Sequence, residues 1–227
     1  QPRSARIGRN ATPLYGRHMP ISLDAAGRAS LEAFVASFPL LPTPPEIASL
    51  KHAAVALVVV EGEQADEPSL LLTKRSPNLR THAAQWALPG GRCDAGETPE
   101  QAALRELHEE VALDLPRAAI PGRLDDYVTR SVYVITPVVV WGGRADGLVA
   151  NPDEVQSIHR LPIEQLVDPS RLEFTTIPES ERPVIRLRIW DNTIHAPTAA
   201  FLHQFAEALA GRVTRVAEME QPVFAWR

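Results

Sequence analysis

A single cysteine in 227 residues, Cys93, excludes an intrachain disulfide and points to a reducing compartment. A lone loop cysteine of this kind reads as incidental. Long apolar runs are also missing: Ala53–Val60 and Val132–Trp141 have strand length, far short of the roughly 20 residues a membrane helix needs. Positive charge is not in excess, since 23 Lys and Arg against 28 Asp and Glu leave a net charge of −5. A nucleic-acid backbone is therefore not the expected partner. The seven histidines show no ligand spacing such as HExxH, and His108 reads as a surface residue. There is no signal-peptide pattern, internal repeat or low-complexity segment. What remains is an ordinary soluble composition, 44% hydrophobic and 22% charged, expected to be cytoplasmic.

The most informative stretch is Gly91–Leu113, a glycine-bearing loop followed by a helix. Thr98-Pro99-Glu100-Gln101 is a helix start, with Thr98 as cap, Pro99 at the first helical position and Gln101 completing a capping box. Leu104, Leu107 and Val111 recur at helical spacing and mark the buried face. Glu106, Glu109 and Glu110 lie opposite, at i, i+3 and i+4. Like charges so placed cost roughly 0.2–0.5 kcal/mol per pair. A solvated acidic face is the plain reading, and a hard divalent cation such as Mg²⁺, which takes oxygen ligands, would offset the repulsion.

Further along, Ile21–Phe38 is expected to be a helix capped by Ser22 or Asp24, and Leu41–Pro45 a proline-rich linker. This leader (residues 1–50) is expected either to pack on the domain or to build a homodimer contact. Gln1–His18, polar and basic, is expected to be either disordered or foreign to the native protein. The domain proper is assigned to residues 51–211 and a tail to 212–227. Lys51–Val60 reads as a strand buried on both faces, joined to Ser69–Thr73 by a hairpin loop, Glu61–Pro68. Strands are also expected at Asp125–Thr129, Val132–Val140, Val155–Leu161, Leu172–Ile177 and Val184–Trp190, with helices at Ile163–Val167 and Thr198–Leu209. The mixture suggests helices packed on a mixed sheet. Trp86 and Trp190 sit in apolar runs and read as core rather than as stacking partners for a base. Lys74, Arg75 and Arg80 form a run of cations after a strand, and arginine forks suit phosphate oxygens.

The spacing Gly91, Glu97, then Arg105-Glu106-Leu107-His108-Glu109-Glu110-Val111 resembles the Nudix box, G-x5-E-x7-R-E-apolar-x-E-E-x-G-apolar. Ala112 stands where the family has glycine. Family glycine there suggests a left-handed residue, but alanine favours helix, so the helix is expected to run on and end differently. The preceding residues Leu71, Leu72, Thr73, Arg75, Ser76, Arg80, Pro89, Gly90 and Gly91 are similar to the coenzyme A pyrophosphatase branch, with Ala84 and Leu88 replacing its Gly and Phe. Asn151-Pro152-Asp153-Glu154 resembles that branch's loop. Ile189-Trp190 and Thr198-Ala199 resemble its I-W-G-x-T-A, with Asp191 for the glycine and an insertion through Pro197 between the halves.

The resemblance implies an α/β/α sandwich with a mixed β-sheet and a pyrophosphohydrolase dependent on Mg²⁺ or Mn²⁺. It implies metal binding by the Gly91 carbonyl, Glu97, Glu106, Glu109 and Glu110. Glu109 or Glu154 would be the base. Arg105 would act with them, and Arg105 and Glu97 would brace the loop against the helix. Lys74, Arg75 and Arg80 would bind substrate. The expected substrate is coenzyme A or an acyl derivative. The alternatives are another nucleoside diphosphate derivative such as ADP-ribose, a dinucleotide or a damaged nucleotide, or a non-catalytic nucleotide sensor. Intact box carboxylates, and a tail after Gly211 expected to be too short for a DNA-reading domain, argue against the sensor.

Overall fold

The computed structural model describes residues 21–225, so Gln1–His18 lies outside the described residues. Helix α1 (Ala25–Ser37) is capped by Asp24, whose carboxylate accepts from the Gly27 amide at 2.8 Å. A short helix, α2 (Pro45–Ala48), begins at the end of the expected linker, proline fitting its first turn. Strands β1 (Lys51–Glu61) and β2 (Pro68–Arg75) form the expected antiparallel hairpin, with Val59 opposite Leu70. Two short strands follow, β3 (Trp86–Ala87) and β4 (Gly90–Arg92), then helix α3 (Pro99–Val111). The chain continues through β5 (Gly122–Arg123), β6 (Tyr127–Val128), β7 (Tyr133–Gly143), β8 (Val155–Pro162) and α4 (Ile163–Leu166). It ends with β9 (Leu172–Ile177), β10 (Ser180–Ile189), β11 (Asn192–His195) and α5 (Thr198–Leu209).

The principal sheet runs β3-β2-β1-β7-β5, with β4 also paired to β1, β6 to β7 and β8 to β2. β1 and β7 are parallel, Lys51 facing Tyr133, and the other pairs are antiparallel, so the sheet is mixed. The apolar run of β1 explains its central place. Side chains alternate across a strand. Leu57 and Val59 enter one core with Phe34 of α1 and Phe201 and Phe205 of α5. Ala54, Ala56, Val58 and Val60 enter a second core with Ala103, Leu107 and Val111 of α3. β7 repeats the division, Val139 on one side and Val138 and Val140 on the other. The result is helix, sheet, helix. The first core also takes in Ile21 and Leu31 of the leader and Val216 and Met219 beyond α5.

Three expectations about elements need correction. The Asp125–Thr129 strand shrinks to Tyr127–Val128: the Asp125 amide donates to the Gln204 side chain at 3.3 Å in place of a strand carbonyl, and its carboxylate is held by Arg215 at 2.7 Å. Asn192–His195, unassigned in the sequence, pairs with β10 and completes a three-stranded sheet β11-β10-β9. Trp190, expected in the core, is 43% exposed at the turn between β10 and β11, with φ 48°.

Candidate functional site

Helix α3 is built as its sequence dictates. Thr98 Oγ1 accepts from the Gln101 amide at 3.3 Å and Gln101 Oε1 accepts from the Thr98 amide at 2.9 Å, so the capping box is complete. Leu107 and Val111 are buried against β1. The acidic side is not uniformly solvated: Glu106 and Glu110 are 8% and 1% exposed, whereas Glu109 is exposed. Each residue turns a helix by about 100°, so Glu106 and Glu110, four apart, share a face that Glu109 does not.

The end of α3 corrects the reading of Ala112. Its φ of 56° and ψ of 28° are left-handed, the conformation glycine ordinarily supplies. Propensity loses to tertiary bonding. The Asn151 amide donates to the Glu110 carbonyl at 2.9 Å and the Val149 amide to the Val111 carbonyl at 3.1 Å. A helix continuing past Val111 would take those carbonyls for its own next turn. The bonds dock the loop before β8 on the helix end, and that loop carries Glu154, whose own carbonyl accepts from the Ser76 amide at 2.8 Å.

Glu154 thereby reaches α3. Carboxylate oxygens of Glu106, Glu110 and Glu154 lie within 4.8 Å of one another, and this is the one such acidic or histidine cluster among the described residues. Gly91, on β4 opposite Ala54, lies over Glu106: a Cβ placed there would meet Glu106 Oε1 at 2.2 Å. The neighbouring Gly90 amide donates to Glu110 Oε2 at 3.2 Å. Arg75, at the end of β2, puts Nη1 3.7 Å from Glu110 Oε1, while its Nε is buried with no hydrogen-bond partner among the described residues.

Burial raises the pKa of Glu106, opposed by Arg105, and pushes Glu110 up to about 8 in spite of Arg75. Two buried carboxylates and a third beside them, all hard oxygen donors, fit a divalent cation of the magnesium type. Such an ion would offset the burial of these charges and the lesser like-charge repulsion between them.

Arg105 fastens the loop to the helix. Its Nε and Nη2 donate to Glu97 at 3.0 and 3.1 Å, Nη2 also to the Arg92 carbonyl at 2.9 Å, and Nη1 to Glu106 at 2.9 Å and Glu109 at 2.8 Å. The hydrogen bond from Arg105 lowers the Glu97 pKa, and Glu97 in turn holds the proton on Arg105. Glu97 and Glu109 thus sit on Arg105 and are not in the cluster of three. Of the expected substrate cations, Arg75 is in the site, Lys74 lines a cleft beside Trp86, and Arg80 is on an exposed loop.

The comparisons agree on one family. Its model, the NUDIX domain, matches residues 50–186. A Caenorhabditis elegans protein named "Nudix hydrolase 3" is 35% identical over 159 residues, which cover 68% of this chain and 63% of that protein. A Photorhabdus laumondii protein described as "Uncharacterized Nudix hydrolase NudL" is 34% identical over 184 residues, 78% of this chain and 97% of that one. A solved MutT/nudix family protein from Enterococcus faecalis is similar with a TM-score of 0.46 at 19% identity, covering 86% of this chain and 70% of that one.

Proposed function

The chain belongs to the Nudix hydrolases, and from that membership we propose a divalent-metal-dependent pyrophosphohydrolase acting on the diphosphate of coenzyme A or an acyl derivative. The observation that carries the reaction is the convergence of Glu106, Glu110 and Glu154 beside Arg75. Glu106 and Glu110, with the Gly91 carbonyl, would hold Mg²⁺ or Mn²⁺, and the ion would supply charge neutralisation at the phosphoryl oxygens. Glu154, the least buried of the three and mounted on a separate loop, accepts the proton of the attacking water. Arg75, whose Nη1 lies 3.7 Å from Glu110 Oε1, supplies a guanidinium for a charge-assisted contact with the phosphate that also serves the developing negative charge. Arg105 keeps Glu106 and the β4 loop in place. Water adds across one P–O–P bond. With coenzyme A, the products are 3′-phosphoadenosine 5′-phosphate and phosphopantetheine.

The cations before the box support coenzyme A within this reaction. A plain ADP derivative offers only its diphosphate, and Arg75 lies at hand for that. Coenzyme A adds a 3′-phosphate dianion that a further cation, Lys74 or Arg80, can meet, at about 1.5–3 kcal/mol per charged hydrogen bond. The purified protein with Mg²⁺ or Mn²⁺ is expected to cleave coenzyme A about tenfold faster than its dephospho form or ADP-ribose. Arg80→Ala should shrink that preference more than it lowers turnover of the dephospho form. A panel in which coenzyme A is untouched while ADP-ribose or a nucleoside triphosphate turns over would end the coenzyme A reading and leave the metal-dependent reaction.

A further inference from the structure

The three-stranded sheet β11-β10-β9 ends at β9, which pairs with β10 alone. Beyond that ladder no backbone amide or carbonyl of β9 makes a hydrogen bond among the described residues. A strand turns its backbone groups to both sides, so the outer side of β9 is a row of open donors and acceptors. Other edges are short or guarded. β3, β4, β5, β6 and β11 have four residues or fewer. β8 carries Arg160 and closes on Pro162. β9 has neither proline nor lysine, and its sequence, Leu-Glu-Phe-Thr-Thr-Ile, is rich in β-branched and aromatic residues. Its one charge, Glu173, is paired with Arg188 of β10 at 3.1 Å. The register irregularity of this sheet falls on β10, where residues 181–183 stand against Thr176, so β9 carries no bulge to turn its edge away.

Phe174 lies near the middle of that edge. Its ring meets His203 of α5 edge to face at 5.9 Å and is still 52% exposed. Single exposed apolar residues are common on a protein surface. On an open strand edge such a residue has a further use, because an added strand would bring a side chain to within about 5 Å of it. The apolar stripe of α1 packs into the first core, and β9 is where a contact between copies remains open.

We propose that β9 is a homodimer contact: a second copy of this chain adds its own β9 antiparallel across a two-fold axis at Phe174, joining two three-stranded sheets into one of six. The occupant is a second copy because the edge is its own complement. A two-fold axis normal to the sheet runs a strand antiparallel to itself, and one patch serves both copies. The same axis keeps each face of the sheet continuous, so it must pass between identical residues. At Glu173 it would oppose two carboxylates, which is unfavourable. At Thr175 it would set Phe174 against the partner's Thr176. At Phe174 it pairs the two rings, places Glu173 opposite the hydroxyl of the partner's Thr175 and Leu172 opposite the methyl of the partner's Thr176. Each copy keeps its own Arg188–Glu173 pair. The contact is one strand wide, below the roughly 1,200 Å² of stable complexes, so monomer and dimer are expected to exchange at about 10–100 µM protein. The inference is independent of the diphosphate hydrolysis proposed above.

Sedimentation equilibrium on the full chain, from about 5 to about 300 µM, tests the contact. Wild type is expected to rise from 24.9 kDa toward twice that mass, and Phe174→Lys to stay at 24.9 kDa over the whole range. The Phe174 side chain is half exposed, and circular dichroism verifies that the variant folds. Wild type at 24.9 kDa throughout, or Phe174→Lys associating as wild type does, overturns the proposal. Cross-linking in a Cys93→Ser background reads the register and needs no charge at the edge. With oxidised glutathione, Phe174→Cys is expected to give a disulfide-linked dimer about tenfold faster or more than Thr176→Cys, because identical residues face each other only at the axis. Equal rates, a faster Thr176→Cys, or no linked dimer from either variant overturns the pairing through Phe174.

Discussion

Glu110→Gln tests the site through two opposed readouts. The Glu110 carboxyl is 1% exposed and its pKa is pushed up to about 8 from 4.5, chiefly by burial, with Arg75 opposing. A carboxyl whose folded pKa lies above its unfolded value binds more protons folded than unfolded. The metal-free protein must therefore lose stability as pH rises from about 4.5 to about 8, at up to roughly 1.4 kcal/mol per unit. By pH 7 the penalty is on the order of 3 kcal/mol. Glutamine keeps the shape and an oxygen for the Gly90 amide and removes this titration. At pH 7 a carboxyl of pKa about 8 is mostly protonated, so glutamine replaces a neutral acid beside Arg75, and imperfect replacement of that group offsets about 1 kcal/mol. A net gain of about 1–2 kcal/mol should raise Tm in chelator at pH 7 by a few degrees, taking roughly 2–4 °C per kcal/mol at this size. With Mg²⁺ the order reverses. Wild type gains about 2.7 kcal/mol at a hundredfold excess over Kd, the variant gains little, and its turnover falls by orders of magnitude. A Glu110→Gln protein less stable than wild type in chelator, equally stabilised by Mg²⁺, or active at saturating Mg²⁺ would refute the placement of Glu110 as a buried metal ligand.

Four further substitutions probe neighbouring groups. Gly91→Ala forces the Glu106 carboxylate to yield, since a Cβ would stand 2.2 Å from Oε1, so Mg²⁺ affinity by calorimetry should fall about tenfold or more while Tm in chelator changes little. Glu154→Gln should lower kcat by about 10²–10⁴-fold with KM nearly unchanged, and an equal loss in Mg²⁺ affinity would make Glu154 a ligand instead. Ala112→Gly relieves a left-handed alanine at roughly 1–2 kcal/mol and adds back unfolded-state freedom of about 0.4–1 kcal/mol; urea denaturation should show a net gain of about 0.5–1 kcal/mol. At Glu220 burial raises the pKa, but hydrogen bonds from Arg130, Gln221 and Arg182 outweigh it and hold it down at about 2. Its stabilisation is therefore present above about pH 4.5 and lost as pH falls toward 2, and Glu220→Gln should flatten acid destabilisation measured from pH 5 to 3.

What the sequence reveals follows the range of the interactions. The α3 capping box, the two-sided burial of β1 and the β1–β2 hairpin depend on residues close in the chain, and all three are as local chemistry predicts. The carboxylate face was legible as a face, but not which glutamates it would bury. That choice belongs to β4, which brings Gly90 and Gly91 against Glu110 and Glu106 and leaves Glu109 to Arg105. β11 escaped notice because its four residues, Asn192–His195, carry three polar side chains and a single apolar one, with no apolar alternation. Its pairing with β10, from Arg186 opposite His195 to Ile189 opposite Asn192, makes it a strand. Phe224 is further still: it reaches the cleft beside Trp86 from beyond α5, where the chain is pinned by Glu220 accepting from Arg130 at 2.6 Å and Arg182 at 2.7 Å.

The left-handed Ala112 joins these ranges. Leu107 and Val111 settle how α3 lies on the sheet, and the amides of Val149 and Asn151 settle where it stops. Those two bonds also fix the loop that delivers Glu154 to Glu106 and Glu110. Extending the helix by one turn would relieve the alanine but withdraw the carbonyls from the loop. The two carbonyls are bonded in either arrangement, so what sets the shorter helix apart is the docked loop and the acceptors it gives to the Val149 and Asn151 amides. A cost at the helix end is thus offset by contacts that assemble the site, and strain of this kind is expected where structure serves function.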